Sequence, residues 1–174
     1  PVFCARLFPL RTGRAALDSR RQCGKMAACM SAPPFLRRLP AWAVPALFIL
    51  LAVAVYWPCL RGPLLWDDPE WTTEVEQVMR DLAGLRRIWL VPDTLQQYYP
   101  VTATTFWLDF QLWGWDPLAL HLQNVLWHGL CGGLFWLVLR RLAVPGAALA
   151  AALLVAHPVM VESVAWITER KNVL

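Results

Sequence analysis

The chain has 174 residues, of which 58% are hydrophobic and 16% are charged. A soluble domain normally carries about a quarter charged residues, so this composition favours a membrane protein. The formal net charge is +4, but the first 38 residues are basic, whereas residues 61–116 carry nine acids and four arginines. This segregation does not resemble a nucleic-acid-binding surface, and we expect no nucleic-acid partner.

Residues 1–38 have no hydrophobic periodicity and do not begin with methionine, and Met26 and Met30 are alternative starts. We predict a disordered basic tail that need not be native, although its arginines also resemble a transit peptide. The five cysteines have no spacing typical of a metal site or a disulfide framework. We therefore expect them to be small apolar residues in the packing.

Three apolar stretches predict membrane spans at residues 41–60, 118–139 and 142–157. The first has about 20 residues without a charge, which matches the hydrocarbon thickness of a bilayer at a helical rise of 1.5 Å per residue. We interpret it as an uncleaved helix rather than a signal peptide, because no small-residue cleavage site follows it. The third stretch is short as written and needs both of its flanks to span a bilayer.

The polar side chains of the second predicted span include His121, Asn124 and His128. On a helix they lie within about 60° of one another. A polar stripe of this kind faces the interior of a bundle or a wet cavity, where it makes interhelical hydrogen bonds or contacts a substrate. Three glycines of the same span would allow close helix packing: Gly129, Gly132 and Gly133.

Two arginine pairs predict the orientation of the chain in the membrane. Arg37-Arg38 precedes the first span and Arg140-Arg141 follows the second, so both pairs fall on one side. The positive-inside rule makes that side cytoplasmic, with the N-terminus. The outer loop, residues 61–117, and the segment after residue 157 are then both expected outside.

The outer loop should contain helical structure of its own. Thr73-x-x-Glu76 reads as a capping box that starts an amphipathic helix, which runs to Trp89 and is broken by Pro92. This helix would lie on the bilayer surface or pack under another loop. Residues 104–113 are apolar apart from one acid, which predicts an interfacial segment.

Acidic and basic side chains gather in both outer segments. Asp67 and Asp68 follow the first span, whereas Glu162, Trp166 and Glu169 are predicted to share one helical face, beside Arg170. A carboxylate here could deprotonate a hydroxyl nucleophile, and a cation could neutralise a leaving phosphate. We therefore predict that the two segments meet around a shared hollow, open to a lipid-linked sugar from the bilayer.

Six short motifs are recognisable after the first 38 residues. They are Trp66-Asp67-Asp68, Tyr99-Pro100-Val101-Thr102, Thr105-Phe106-Trp107-Leu108-Asp109, Leu112-Trp113-Gly114, His121-Leu122-x-Asn124-Val125 and His157-Pro158-x-x-Val161-Glu162-Ser163-Val164-Ala165-Trp166-Ile167-x-Glu169-Arg170-Lys171. Together they resemble a family of membrane proteins that have a multi-helix N-terminal half and C-terminal tetratricopeptide repeats. The animal members are O-mannosyltransferases of the endoplasmic reticulum, and bacterial relatives exist. Residues 40–174 look like an N-terminal fragment of a bacterial-type relative.

The resemblance implies an all-α membrane protein, the N-terminal part of a multi-span C-type glycosyltransferase bundle with amphipathic juxtamembrane helices in its first outer loop. It implies a polyprenyl-phosphate sugar as donor and a protein acceptor, in a multi-pass protein of the bacterial inner membrane or the endoplasmic reticulum. No metal ligand is predicted, although a divalent metal would be compatible. The catalytic residue would be Asp67 or Asp68, and the substrate contacts would come from Glu162, Arg170, Lys171 and His157.

Met160 stands where the family often has a second histidine, so a histidine pair is not expected here. Simpler roles remain open: the two aspartates could cap the next helix, and Glu162 and Arg170 could form a structural ion pair. The whole protein could also be a non-enzymatic membrane scaffold whose repeats recruit partners, or a transporter that uses the polar stripe.

Overall fold

The computed structural model describes residues 42–174, so the predicted basic tail and Arg37-Arg38 lie outside the described residues. The described part is helical and contains no strand. Its α-helices are α1 (Ala43–Tyr56), α2 (Asp68–Met79), α3 (Leu82–Leu90), α4 (Pro100–Trp113), α5 (Pro117–Arg141), α6 (Ala147–Val155) and α7 (Met160–Ala165). Short 3₁₀ helices cover Trp57–Arg61, Pro92–Thr94 and Thr168–Asn172.

Two of the described helices are long and apolar enough to cross a membrane. The first is α1 with its 3₁₀ extension, Ala43–Arg61, with 19 residues and a mean hydropathy of 2.2. The second is α5, with 25 residues and a mean hydropathy of 1.3. Both coincide in position with the first two predicted spans, which supports a membrane protein.

The third predicted span, residues 142–157, does not form one long helix. Its helix, α6, has only nine residues, which is about 14 Å at 1.5 Å per residue and well short of a bilayer core. Pro145 and Gly146 delay the start of α6, because they form a turn in which Gly146 has a φ of 78°. The hydrophobic composition was sufficient for a span, but the turn shortens the helix.

Helix α5 packs closely against α1 and α6 at the three glycines singled out above. A Cβ on Gly129 would lie 2.6 Å from the Cα of Ile49, and one on Gly132 would lie 2.3 Å from Cγ2 of Val155. The prediction of close packing is confirmed, because side chains at these positions would overlap with their neighbours. The core around this contact includes Phe48, Ala52, Tyr56, Val125, Trp136, Ala151 and Val155.

These contacts make α1 and α5 antiparallel. Gly133 faces Pro45 near the start of α1, whereas His121 lies near Gly62, just after α1 and its extension. The chain therefore leaves α1 at the end where α5 begins. The end of α6 lies level with His128 of α5, and the segment after α7 completes the return, because Asn124 contacts the carbonyls of Trp166 and Ile167. The polar stripe is buried here as predicted, with His121 and His128 each 2% exposed and Asn124 fully buried.

The outer loop forms a second packed layer at this end, but its helices differ from the prediction. Helix α2 begins at Asp68, so the predicted capping box is wrong, and the Thr73 hydroxyl instead donates to the carbonyl of Pro69 at 2.8 Å. Helix α3 begins after a side-chain cap at Asp81, whose carboxylate accepts from the backbone N–H of Gly84 at 2.6 Å. The apolar side of these helices packs on α4 around Val75, Met79, Ile88, Ala103 and Phe106.

Candidate functional site

The two acidic segments lie side by side at the common end of α1 and α5. Trp66 is T-shaped against Trp166, with ring centroids 4.6 Å apart. The carboxylates of Asp67 and Asp68 both accept hydrogen bonds from the segment after α7. The predicted meeting of the two segments is therefore confirmed.

Asp68 is a buried connection between the two segments. Its side chain is fully buried and accepts three backbone N–H groups, from Leu65 at 3.0 Å, Ile167 at 3.4 Å and Thr168 at 3.0 Å. Hydrogen bonds from several backbone N–H groups compensate the burial of a carboxylate that has no cation next to it. Asp68 thus holds the two loops together, and its oxygens are already engaged.

Asp67 is exposed and differs from its neighbour in how its oxygens are used. Its Oδ1 accepts from the indole N–H of Trp166 at 3.1 Å and from the hydroxyl of Thr168 at 3.4 Å. Among the described residues, no group donates to its Oδ2. Asp67 therefore has one held oxygen and one that can accept a proton.

The alternative that Asp67 and Asp68 only cap the next helix does not agree with the hydrogen bonds of their side chains. Asp67 occupies the N-cap position of α2, but its side chain makes no capping hydrogen bond. The residue before it, Trp66, has a φ of 47°, which is an unfavourable backbone conformation for a bulky residue. Such strain in front of an acidic pair is typical of a functional turn.

Arg170 lies at the centre of a buried polar network. It is fully buried, and its Nη1 donates to Oδ2 of Asp109 at 2.5 Å, in an ion pair with both side chains at 0% exposure. Its Nε donates to Oδ1 of Asn124 at 2.7 Å, and Nη1 also donates to the Thr105 hydroxyl at 3.2 Å. The guanidinium lies 3.9 Å from the ring centroid of Phe106. Burial lowers the pKa of Arg170, whereas Asp109 opposes that shift.

This network connects the second acidic segment to two helices. Asp109 belongs to α4 and accepts a further bond from Gln123 of α5 at 2.7 Å, while Asn124 donates to the carbonyls of Trp166 and Ile167. The alternative of a structural ion pair between Glu162 and Arg170 is therefore wrong, because Arg170 pairs with Asp109 instead. The sequence did contain a signal for this role of Asp109. It is an isolated acid in a largely apolar segment, and such an acid requires a buried cation.

The shared helical face predicted for Glu162, Trp166 and Glu169 is also wrong. Helix α7 ends at Ala165, and Trp166 is extended, with φ −87° and ψ 118°. The chain then enters the 3₁₀ helix Thr168–Asn172. The change of direction places Trp166 against Asp67, a contact between residues far apart in the chain that sequence periodicity could not indicate.

An open cleft lies beside Asp67. It holds about 590 Å³ of empty space, including the open solvent at its mouth. Its walls include aromatic, acidic and basic side chains, among them Asp67, Trp71, Tyr99, Thr168, Glu169 and Lys171. Lys171 Nζ lies 2.9 Å from Oε1 of Glu169 and 3.4 Å from Oε1 of Gln97. Of the predicted site residues, the cleft therefore brings together Asp67 and Lys171.

The other predicted site residues lie elsewhere. Arg170 and Asp68 are buried behind the cleft wall. Glu162 and His157 are exposed and are not among the cleft residues, and Nδ1 of His157 accepts from the backbone N–H of Val159 at 3.2 Å. Within residues 42–174, no group of three or more metal-binding side chains is close enough to hold a metal ion.

Comparison with known proteins gives a distant similarity. The chain is 29% identical to a protein O-mannosyl-transferase of Caenorhabditis elegans, over 74% of this chain and 20% of that protein. It thus spans about a fifth of the length of the curated relative that it matches. No protein-family model matches the sequence, and no solved structure matches it. The similarity indicates an O-mannosyltransferase-like relationship.

Proposed function

We propose that this chain is the N-terminal part of a membrane glycosyltransferase. The whole protein would transfer a sugar, mannose, from a polyprenyl-phosphate donor to a hydroxyl group of an acceptor protein. The observation that carries this proposal is the cleft at the common end of the two apolar helices, because Asp67, which has one carboxylate oxygen free of donors, and Lys171 both line it. The similarity to an O-mannosyl-transferase supports the same reaction class.

Asp67 is the general base in this proposal. Its Oδ2 takes the proton of the acceptor hydroxyl while the hydroxyl oxygen forms a bond to the anomeric carbon of the sugar. The bond between that carbon and the phosphate oxygen breaks, and the polyprenyl phosphate leaves with the electron pair. General base catalysis of this kind contributes about 10²–10⁴-fold in rate.

Lys171 is the cation proposed to face the leaving phosphate. Its side chain is 25% exposed and already pairs with Glu169, so an arriving phosphate would share the ammonium with that carboxylate. Charge that develops on the phosphate as the bond breaks is stabilised by a cation fixed beforehand. A bilayer-anchored donor could reach this cleft because it lies next to the ends of both candidate spans.

Arg170 and Asp68 have positioning roles in this scheme. The first is saturated by the network with Asp109 and Asn124, and the second by three backbone N–H groups. Arg170 holds the segment that carries Lys171 against α4 and α5, whereas Asp68 holds that segment against the one that carries Asp67. Glu162 and His157 are exposed and are proposed as contacts of the acceptor protein outside the cleft.

The proposed topology is that of a multi-pass protein with a cytoplasmic N-terminus. The cleft then faces the lumen of the endoplasmic reticulum, or the outer side of a bacterial inner membrane. Donor and acceptor would meet there, at the lipid surface. A divalent metal remains compatible with the reaction, with the donor phosphate as a ligand.

The test compares Asp67→Asn, Asp68→Asn and Asp93→Asn in the full-length protein reconstituted in lipid nanodiscs. Asp93 is an exposed acid of the 3₁₀ helix Pro92–Thr94 and is not among the cleft residues. With polyprenyl-phosphate mannose and a threonine-containing peptide as substrates, Asp67→Asn should lose at least about 100-fold in kcat without a change in unfolding temperature.

The two companion variants separate chemistry from folding. Asp68→Asn should lower both activity and unfolding temperature, since it weakens the connection between the loops. Asp93→Asn should behave as the unsubstituted protein. Transfer at an unchanged rate by Asp67→Asn would overturn Asp67 as the general base, whereas absence of transfer by the unsubstituted protein would overturn the proposed enzyme and favour a scaffold.

A further inference from the structure

Trp166 lies where the second acidic segment changes direction. Its backbone N–H donates to the carbonyl of Glu162 at 3.1 Å and closes the last turn of α7. The extended ψ of 118° at Trp166 then ends the helix. As a result, the indole lies beside the acidic turn of the first segment.

The indole N–H of Trp166 holds one oxygen of Asp67. The distance from Nε1 to Oδ1 is 3.1 Å, and the Thr168 hydroxyl lies 3.4 Å from the same oxygen. Tryptophan Nε1 is a donor only, so Oδ1 of Asp67 is the acceptor in this contact. The second oxygen is left without a donor from the described residues, as the proposed proton acceptor requires.

Trp66 keeps the Trp166 ring in place. The two rings meet edge to face, at an interplanar angle of 86°, an arrangement that aromatic pairs favour. Trp66 itself is 74% exposed and has a strained φ of 47°. The strained backbone therefore does not serve to bury the Trp66 side chain. The interaction that it provides is the contact of the Trp66 ring with Trp166.

We infer that Trp166 is a positioning residue that orients the Asp67 carboxylate and leaves its second oxygen open to accept the proton. This inference rests on the proposed function of Asp67 as general base. The other charged groups around Asp67 are Asp68, next in the chain, and Glu169 and Lys171 in the cleft wall. Their charges stay the same when only the indole N–H is removed, so its effect can be measured by itself.

The experiment uses Trp166→Phe, which keeps an aromatic ring against Trp66 but has no N–H. The matched control is Trp107→Phe, because Nε1 of Trp107 donates to the carbonyl of Asp81 at 2.9 Å, away from the cleft residues. The assay is sugar transfer by the full-length protein in nanodiscs, with polyprenyl-phosphate mannose and a threonine-containing peptide.

Trp166→Phe should lower kcat by about ten-fold with little change in KM, the size expected for a hydrogen bond to a charged group. Thr168→Val removes the longer bond to the same oxygen and should cause a smaller loss of kcat, again with little change in KM. Trp107→Phe should leave both kcat and KM unchanged.

Two results would overturn the inference while Asp67→Asn remains inactive. One is a Trp166→Phe protein with an unchanged kcat. The other is a loss of activity by Trp166→Phe that is accompanied by a lower unfolding temperature, which would show that Trp166 is only a packing residue. An Asp67→Asn protein with unchanged activity would instead overturn the proposed role of Asp67 as general base, on which this inference rests.

Discussion

Replacing Arg170 by methionine removes the cation of the buried network while keeping most of the side-chain volume. Asp109 would then retain one donor, Nε2 of Gln123 at 2.7 Å, and the acceptors of Asn124 and Thr105 would lose their N–H groups. Removal of one partner from a buried ion pair costs about 3–5 kcal/mol, because the other charge stays buried and uncompensated. We expect Arg170→Met to lower the free energy of unfolding by this amount.

A double-mutant cycle isolates the ion pair from general packing. Asp109→Leu should also be strongly destabilising, since Arg170 would stay buried without its carboxylate. The double variant buries neither charge, so its cost should be at least about 2 kcal/mol smaller than the sum of the single costs. Arg80→Met is the surface control, because that ion pair with Glu76 has side chains 64% and 36% exposed and should contribute about 0.5 kcal/mol or less.

The measurement is unfolding of the full-length protein in mixed micelles, followed by tryptophan fluorescence. Single costs below about 1 kcal/mol for both variants would show that the network does not hold the second segment in place. Strict additivity of the two substitutions would lead to the same conclusion, because a direct pair must couple.

Two further predictions concern packing and topology. Gly132→Ala should destabilise the protein by about 1–3 kcal/mol in the same unfolding measurement, because its Cβ would meet Val155 at 2.3 Å. The control Leu149→Ala, at an exposed position of α6, should have a much smaller effect, and equal effects would contradict the close packing of α5 and α6. In a background without native cysteines, Gln96→Cys and Glu162→Cys should react with a membrane-impermeant maleimide from the same side and Leu142→Cys from the other. Labelling of Gln96→Cys and Glu162→Cys from opposite sides would refute the shared cleft.

Much of the helical architecture could be predicted from local patterns. The two long helices follow from uninterrupted apolar composition, which is a property of neighbouring residues. Burial of His121, Asn124 and His128 follows from their common helical face. The third span was overestimated, because hydropathy does not register the Pro145–Gly146 turn that shortens α6.

The candidate site could be predicted only in outline. The acidic and basic residue types were visible, but the sequence could not distinguish Asp67 from Asp68, which differ because one is exposed and the other accepts three backbone N–H groups. Likewise, Arg170 and Lys171 are adjacent and both cationic, yet one is fully buried and the other lines the cleft.

Composition and periodicity alone determined that this chain forms apolar helices and that one of them carries a polar stripe. These properties depend on residues within a few turns of one another. Only the tertiary structure decided which charges meet. Asp109 reaches Arg170 across 61 positions, and Asp67 reaches Trp166 across 99. Such pairs form because the packing of the helices brings distant segments to the same end of the bundle. A local sequence pattern contains no information on that packing.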